Sequence, residues 1–442
     1  MSESLRGLRG MLAAATLIAA LVHAQPAQAD DLPNTPFVAS RAMGRQDADC
    51  ILRQLPWRRH VIDDASRGAD GVRLADVNAD GHMDITTGWE EGGLTRVYLN
   101  PGPDKAKTPW PAVTVGSTPD VEDAVFADLD GDGAVDVISS CEGKTRTVFI
   151  HWAPRKKDRY LDPQAWTTQA VADSIGRTMW MFCVPVQLDG ANGLDLILGS
   201  KGPDAMIGFY QIGPDARSDA AYKWHKLSDA GWIMSLVAVD MDNDGDLDIL
   251  TSDRRGDLRG VRWLENPGAE YVAKRPWNNH FIGGRDWEVM FLRVADLDND
   301  GLDDIVVAAK QGSRTQRILW YRRKDRTGLH WEERMIPFPP NTGGAKGVAV
   351  GDMDGDGRSD IVLSCEGADG GKSGVMWLRQ EPDGTWTPGE ISGPAGVKFD
   401  RIELLDLDGD GDLDVLTCEE QGINSRGQKD GLGVFWYENP LK

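Results

Sequence analysis

An Asp-rich loop recurs seven times along the chain at a spacing of about 55 residues, and this repeat limits the possible folds more than any other feature. Repetition on this scale belongs to propellers and solenoids, whose units bury their apolar faces only against their neighbours. Six copies are intact: Asp76-Val-Asn78-Ala-Asp80-Gly-His-Met-Asp84, Asp128-Leu-Asp130-Gly-Asp132-Gly-Ala-Val-Asp136, Asp240-Met-Asp242-Asn-Asp244-Gly-Asp-Leu-Asp248, Asp296-Leu-Asp298-Asn-Asp300-Gly-Leu-Asp-Asp304, Asp352-Met-Asp354-Gly-Asp356-Gly-Arg-Ser-Asp360 and Asp406-Leu-Asp408-Gly-Asp410-Gly-Asp-Leu-Asp414. The third copy in chain order starts at Gln187, has Ala191 in place of another carboxylate, and keeps only Asp189 and Asp195.

Oxygen donors at alternate positions all point inward when a chain curls around a small cation, and a flexible cage of carboxylates suits calcium. Gly at position 6 of the intact copies permits the sharp turn, position 7 offers a carbonyl, and Asp at position 9 closes the cage. An EF-hand would need a bidentate Glu at position 12, where this chain has Thr87, Ser139, Thr251, Val307, Leu363 or Thr417. The loops are therefore read as six structural calcium sites. The Gln187 copy is read as a metal-free turn.

Short apolar runs rich in β-branched residues flank each loop, as Val125-Phe126-Ala127 and Val137-Ile138 do, so the unit is strand, metal turn, strand. Trp57, Trp110, Trp166, Trp224, Trp277, Trp331 and Trp386 lead a further strand in phase with the loops, and an aromatic strand such as Val434-Phe-Trp436 closes each repeat. Four antiparallel strands repeated seven times predict an all-β chain folded as a seven-bladed β-propeller. Residues 401–438 supply only three strands of a last blade, so the strand from Trp57 to Ile62 is expected to complete it and close the ring. The leading Trp residues are expected to pack between blades.

These blades resemble the FG-GAP/VCBS repeats of integrin α-chain propellers and of secreted bacterial proteins, over about Trp57 to Pro440. The resemblance implies calcium at the intact loops. It leaves the function open among adhesion, glycan binding and polysaccharide lyase or sugar dehydratase chemistry.

Arg6 and Arg9, an apolar stretch from Met11 to Val22, and Ala27-Gln28-Ala29 have the layout of a secretory signal peptide, too short to span a bilayer. The expected organisation is a signal peptide at 1–29, a leader at 30–56 with a short helix near Ala48 to Leu55, and the propeller at 57–440. A secreted or periplasmic monomer without membrane insertion follows. The net charge of −22 argues against nucleic acid, although six calcium ions would cancel about half of it. Cys50, Cys141, Cys183, Cys365 and Cys418 are too scattered for a disulfide framework and read as mostly buried thiols.

In this topology the calcium turns share one face, and the second strand of each blade carries the chain to the other. Six residues after the last calcium Asp, every blade places a charge at that opposite mouth: Glu90, Glu142, Lys201, Arg254, Lys310, Glu366 and Glu420. Blades 3 to 5 thus hold a basic arc, and their entry loops add Trp180, Trp232 and Trp287. Aromatic faces beside cations suit stacking on a sugar ring and pairing with its carboxylate or sulfate. The expected function is binding of a carbohydrate or surface polymer, possibly acidic, at this mouth. A lyase or dehydratase and a protein-adhesion platform are the alternatives, and no catalytic residue is singled out.

Overall fold

The computed structural model describes residues 56–312, 315–421 and 431–442, and the expected signal peptide, leader and Cys50 lie outside these residues except for Pro56. Within them the chain forms seven four-stranded antiparallel sheets. Blade 1 runs outward from Ala69–Ala75 through Asp84–Trp89 and Leu94–Tyr98 to Ala112–Ser117. Blades 2 to 6 repeat this order, beginning at Val121–Ala127, Met179–Val186, Ile233–Val239, Glu288–Ala295 and Gly344–Gly351. The first strands of successive blades pack side by side, and that of blade 7, Phe399–Leu405, packs against that of blade 1. The result is the expected seven-bladed propeller.

Second strands such as Asp84–Trp89 and Asp248–Asp253 are buried along their whole length, because a neighbouring blade covers each face. Trp57, Trp110, Trp166 and Trp277 are buried at the head of outer strands, whereas Trp224, Trp331 and Trp386 are half-buried. The four described cysteines are buried free thiols. Among the described residues no helix is long and apolar enough to cross a membrane.

The ring closes through Arg58–Asp63, which pairs antiparallel with Gly433–Glu438 and completes blade 7. This strand also reaches both adjacent blades. Trp57 donates its N–H to the Ile391 carbonyl of blade 6 at 2.9 Å, while Asp63 accepts from Arg96 and Tyr98 of blade 1 at 2.5 and 2.9 Å. His60 stacks on Trp436 and bonds Glu438 at 2.6 Å.

Deleting residues 57–63 removes the clasp from three blades at once and exposes the Gly433–Glu438 edge. The truncated chain should melt cooperatively at least about 4 °C lower and self-associate, as calorimetry and light scattering would record. A monomer that melts like the full chain would contradict this.

Candidate functional site

Each Asp-rich turn is held by its own side chains. In the first, Asp76 accepts from the N–H groups of Asp80 and Gly81 at 3.0 and 2.9 Å, and Asp80 accepts from His82 at 2.9 Å. Position 4 is left-handed in every copy, even as Ala79 with φ 59°, which the sequence pattern alone does not announce. Carboxylate oxygens of Asp128, Asp130 and Asp136 lie within 4.8 Å of one another, as do those of Asp240, Asp242 and Asp248. Asp296, Asp298 and Asp300 converge in the same way, and so do Asp352, Asp354 and Asp356. These donor sets suit a hard divalent cation.

The third copy does not. The Gln187 amide nitrogen donates to the carbonyls of Ala191 and Gly193, while its oxygen accepts from Asp189 and Gly190. The side-chain amide ties the turn from within, as a bound cation would.

Position 9 is buried in all seven copies. Asp136 accepts from the N–H groups of Leu129 and Ala153, and Asp195 of the third copy accepts equivalently from Leu188 and Ile212. Burial pushes Asp136 and Asp360 up to about 8, Asp195, Asp248 and Asp414 to about 7, and Asp84 and Asp304 to about 6. Buried carboxylates of this kind take up either a proton or a cation.

At the opposite mouth, the seven charges found by spacing are positioned by second-strand ends, but they do not form two open arcs. Lys201 pairs with Glu142 and lies 3.6 Å from Glu122, Arg254 bonds Glu288 at 2.9 Å, and Lys310 pairs with Glu366. Glu420 pairs with Lys346 and Lys398. The basic arc expected on blades 3 to 5 is thus neutralised by carboxylates from neighbouring strands. Glu90 alone among the seven has no side-chain hydrogen bond or ion pair among the described residues, although its backbone N–H donates to the Gly68 carbonyl at 2.7 Å.

The three aromatic candidates also separate. Trp180 is fully buried and donates to the Ser174 carbonyl, and Trp287 packs in the apolar layer between blades 4 and 5. Only Trp232 is half-exposed, and it is crowded by Lys201, Arg254 and Arg255, each 4.6–4.8 Å from its ring centre. None offers an open stacking face.

A second ring was missed. The register of every first strand slips at a β-bulge, between Asp70 and Arg73 in blade 1 and at equivalent places in the other six. Bulges re-aim side chains. At or beside them, six residues before each Asp-rich turn or its Gln187 counterpart, stand Asp70, Glu122, Met181, Met234, Met290, Lys346 and Asp400. Blades 3 to 5 therefore present methionines, which with the edge-on pair Phe182–Phe291, centres 5.8 Å apart, fill the channel with apolar core. Blades 6, 7, 1 and 2 present charge.

In that charged half, Lys346 bonds Asp400 at 2.7 Å as well as Glu420. Asp400, which burial alone would push up, is held below the usual range by Lys346. Asp70 is driven well above it by burial and by Glu122 and Asp400. Glu122 is raised by burial too.

The description "FG-GAP-like repeat" matches residues 76–139 and 296–363, each stretch running from the Asp-rich turn of one blade, 1 or 5, through that of the next into its second strand. This seven-bladed propeller carries FG-GAP-like repeats in those two stretches. No curated protein matches it. Among solved structures it is similar to an ancestral GH74 enzyme, with a TM-score of 0.50 and 12% identity over 86% of this chain. The match spans about half of that enzyme, 48% of its length. At this identity the likeness extends to the fold alone.

Lys346 is the cation on which the charged half of this mouth depends. Lys346→Met should cost about 3–5 kcal/mol in urea denaturation at neutral pH, because Asp400 and Glu420 would stay buried with less compensation. A loss below about 1 kcal/mol would place those carboxylates in contact with water.

Proposed function

We propose that this chain is an exported, calcium-stabilised propeller that binds a carbohydrate at the mouth opposite the metal turns, on blades 7, 1 and 2. The observation that carries this reading is where unused hydrogen-bonding capacity collects. Among the described residues the Glu90 side chain has no partner, that of Glu122 has Lys201 at 3.6 Å, and that of Asp70 makes no hydrogen bond. Accessible carboxylates accept paired hydrogen bonds from neighbouring sugar hydroxyls, charge-assisted bonds being the strong ones, and a buried uncharged carboxyl can donate one. Because Lys201, Arg254 and Lys310 are already matched, a neutral saccharide suits the mouth better than an acidic one. The ancestral GH74 enzyme contributes only the fold to this argument.

Calcium enters the proposal through the six intact turns, whose carboxylates would release their protons to a cation. Sites of the extracellular kind bind at about 0.1–1 mM, so millimolar calcium adds roughly 0.4–1.4 kcal/mol per site. Export rests on the signal-peptide pattern of residues 1–29, with cleavage near Ala29.

Calorimetric titration with cellohexaose, maltohexaose, xylohexaose and tetragalacturonate tests the site. A neutral hexasaccharide should bind. Glu90→Ala should weaken it by about 10-fold or more, the scale of one hydrogen bond to a charged group, while Arg254→Ala leaves it nearly unchanged. Preference for tetragalacturonate with dependence on Arg254 would move the site to blades 3 to 5.

Chelation tests the metal. The purified chain should carry about six calcium ions, and stripping them should lower stability by about 2–8 kcal/mol in total. Seven full sites, or an unchanged melting curve after chelation, would contradict the reading of these turns.

A further inference from the structure

Asp70 is 5% exposed at the mouth, and one of its carboxylate oxygens lies within 4.8 Å of ligand-type oxygens of Asp400 and Glu420. Buried carboxylates nearly always have hydrogen-bond partners, and Asp400 and Glu420 have them in Lys346 and Lys398. The Asp70 side chain has neither a hydrogen bond nor an ion pair among the described residues. It is a nearly buried carboxyl set in a polar cluster, with no side-chain partner among the described residues.

We propose that Asp70 is held as an uncharged carboxylic acid that donates a hydrogen bond to an uncharged oxygen acceptor on the ligand, so that the mouth loses its ligand as pH rises. This rests on the carbohydrate reading above and names the group that reads the saccharide's ring, ether or carbonyl oxygen.

The groups around Asp70 support the uncharged state. Glu122 faces it from blade 2, Asp400, Glu420 and Cys418 from blade 7, Lys346 from blade 6, and Lys398 from the loop entering blade 7. The two lysines are engaged with Asp400 and Glu420, and Lys201 with Glu142, so each of these lysines beside Asp70 among the described residues is already paired with another carboxylate. Burial accordingly drives the Asp70 carboxyl upward. A divalent cation in place of the proton would have to share Asp400 and Glu420 with Lys346, against like-charge repulsion.

The linkage has a definite sign. An unfolded Asp70 ionises in the ordinary carboxylate range while the folded one keeps its proton, so folding stability falls as pH rises between those two values. Asp70→Asn keeps the shape and an N–H donor but cannot ionise, and should remove that part of the pH dependence.

Infrared spectroscopy of the full, calcium-loaded chain at pH 7 should reveal a protonated-carboxyl band, additional to any from Asp195, that disappears in Asp70→Asn. Absence of that band from the wild type overturns the inference, whatever binds. In the second arm, the hexasaccharide of the panel that binds should lose affinity as pH rises, while Asp70→Asn binds it with a flat profile. Asp70→Ala should weaken it about 3–10-fold, the scale of one lost neutral hydrogen bond. Undiminished binding by Asp70→Ala overturns the inference. So does loss of one calcium ion in Asp70→Asn, which would make the cluster a metal site. If no member of the panel binds, the carbohydrate reading and the ligand half of this inference fall together, and the infrared band alone decides the state of Asp70.

Discussion

Every blade is pinned by one buried carboxylate. The last Asp of each turn accepts one N–H from inside the turn and another from the third strand, as Asp248 does from Met241 and Asn266 at 2.8 Å each, and Asp414 from Leu407 and Asn439 at 2.9 Å each. The bond joins the innermost turn to the strand two places outward, so turn geometry and strand register are set together. It also explains the third copy. Gln187 and Ala191 have replaced two carboxylates there, but Asp195 is retained, with bonds of 3.2 and 3.0 Å to Leu188 and Ile212. Position 9 does structural work whether or not a cation is present.

The opposite face depends on a different device. A β-bulge in each first strand turns one side chain toward the channel, and the choice of that residue divides the ring. Methionines from blades 3 to 5 pack with Phe182 and Phe291 into a dry plug, whereas Lys346, Asp400, Asp70 and Glu122 form a polar half. Phe291 is the boundary, with the Lys346 ammonium and the Arg401 guanidinium each 5.9 Å from its ring centre. Buried charges persist only where they are paired, which is why the lysines are committed and why Asp70, unpaired, is neutral.

The fold was legible because its signals are local and repeated: loop, leading Trp and aromatic strand recur in phase, and the three-stranded last blade called for the Trp57 strand. The mouth was legible only in part. The seven charges from Glu90 to Glu420 do share one face, but their pairing was not readable, since Glu288 neutralises Arg254 from the next blade and Lys346 meets Glu420 from 74 residues away. Trp180 and Trp287 look like Trp232 in sequence, and only packing separates core from surface. The ring from Asp70 to Asp400 did leave a signal, a constant offset before each of the seven repeated turns. It was hidden because a strict two-residue alternation does not allow for a bulge.

Blade 3 separates the anchoring role of position 9 from any role of the cation, because its turn is tied by Gln187. The most direct measurement compares Asp195→Ala with Asp189→Ala by equilibrium denaturation of the full chain. Asp195→Ala should cost about 2–4 kcal/mol by leaving two buried N–H groups unpaired, and Asp189→Ala, at the turn surface, about 1 kcal/mol or less. Equal losses, or a larger loss from Asp189→Ala, would contradict the claim that the buried carboxylate holds each blade together.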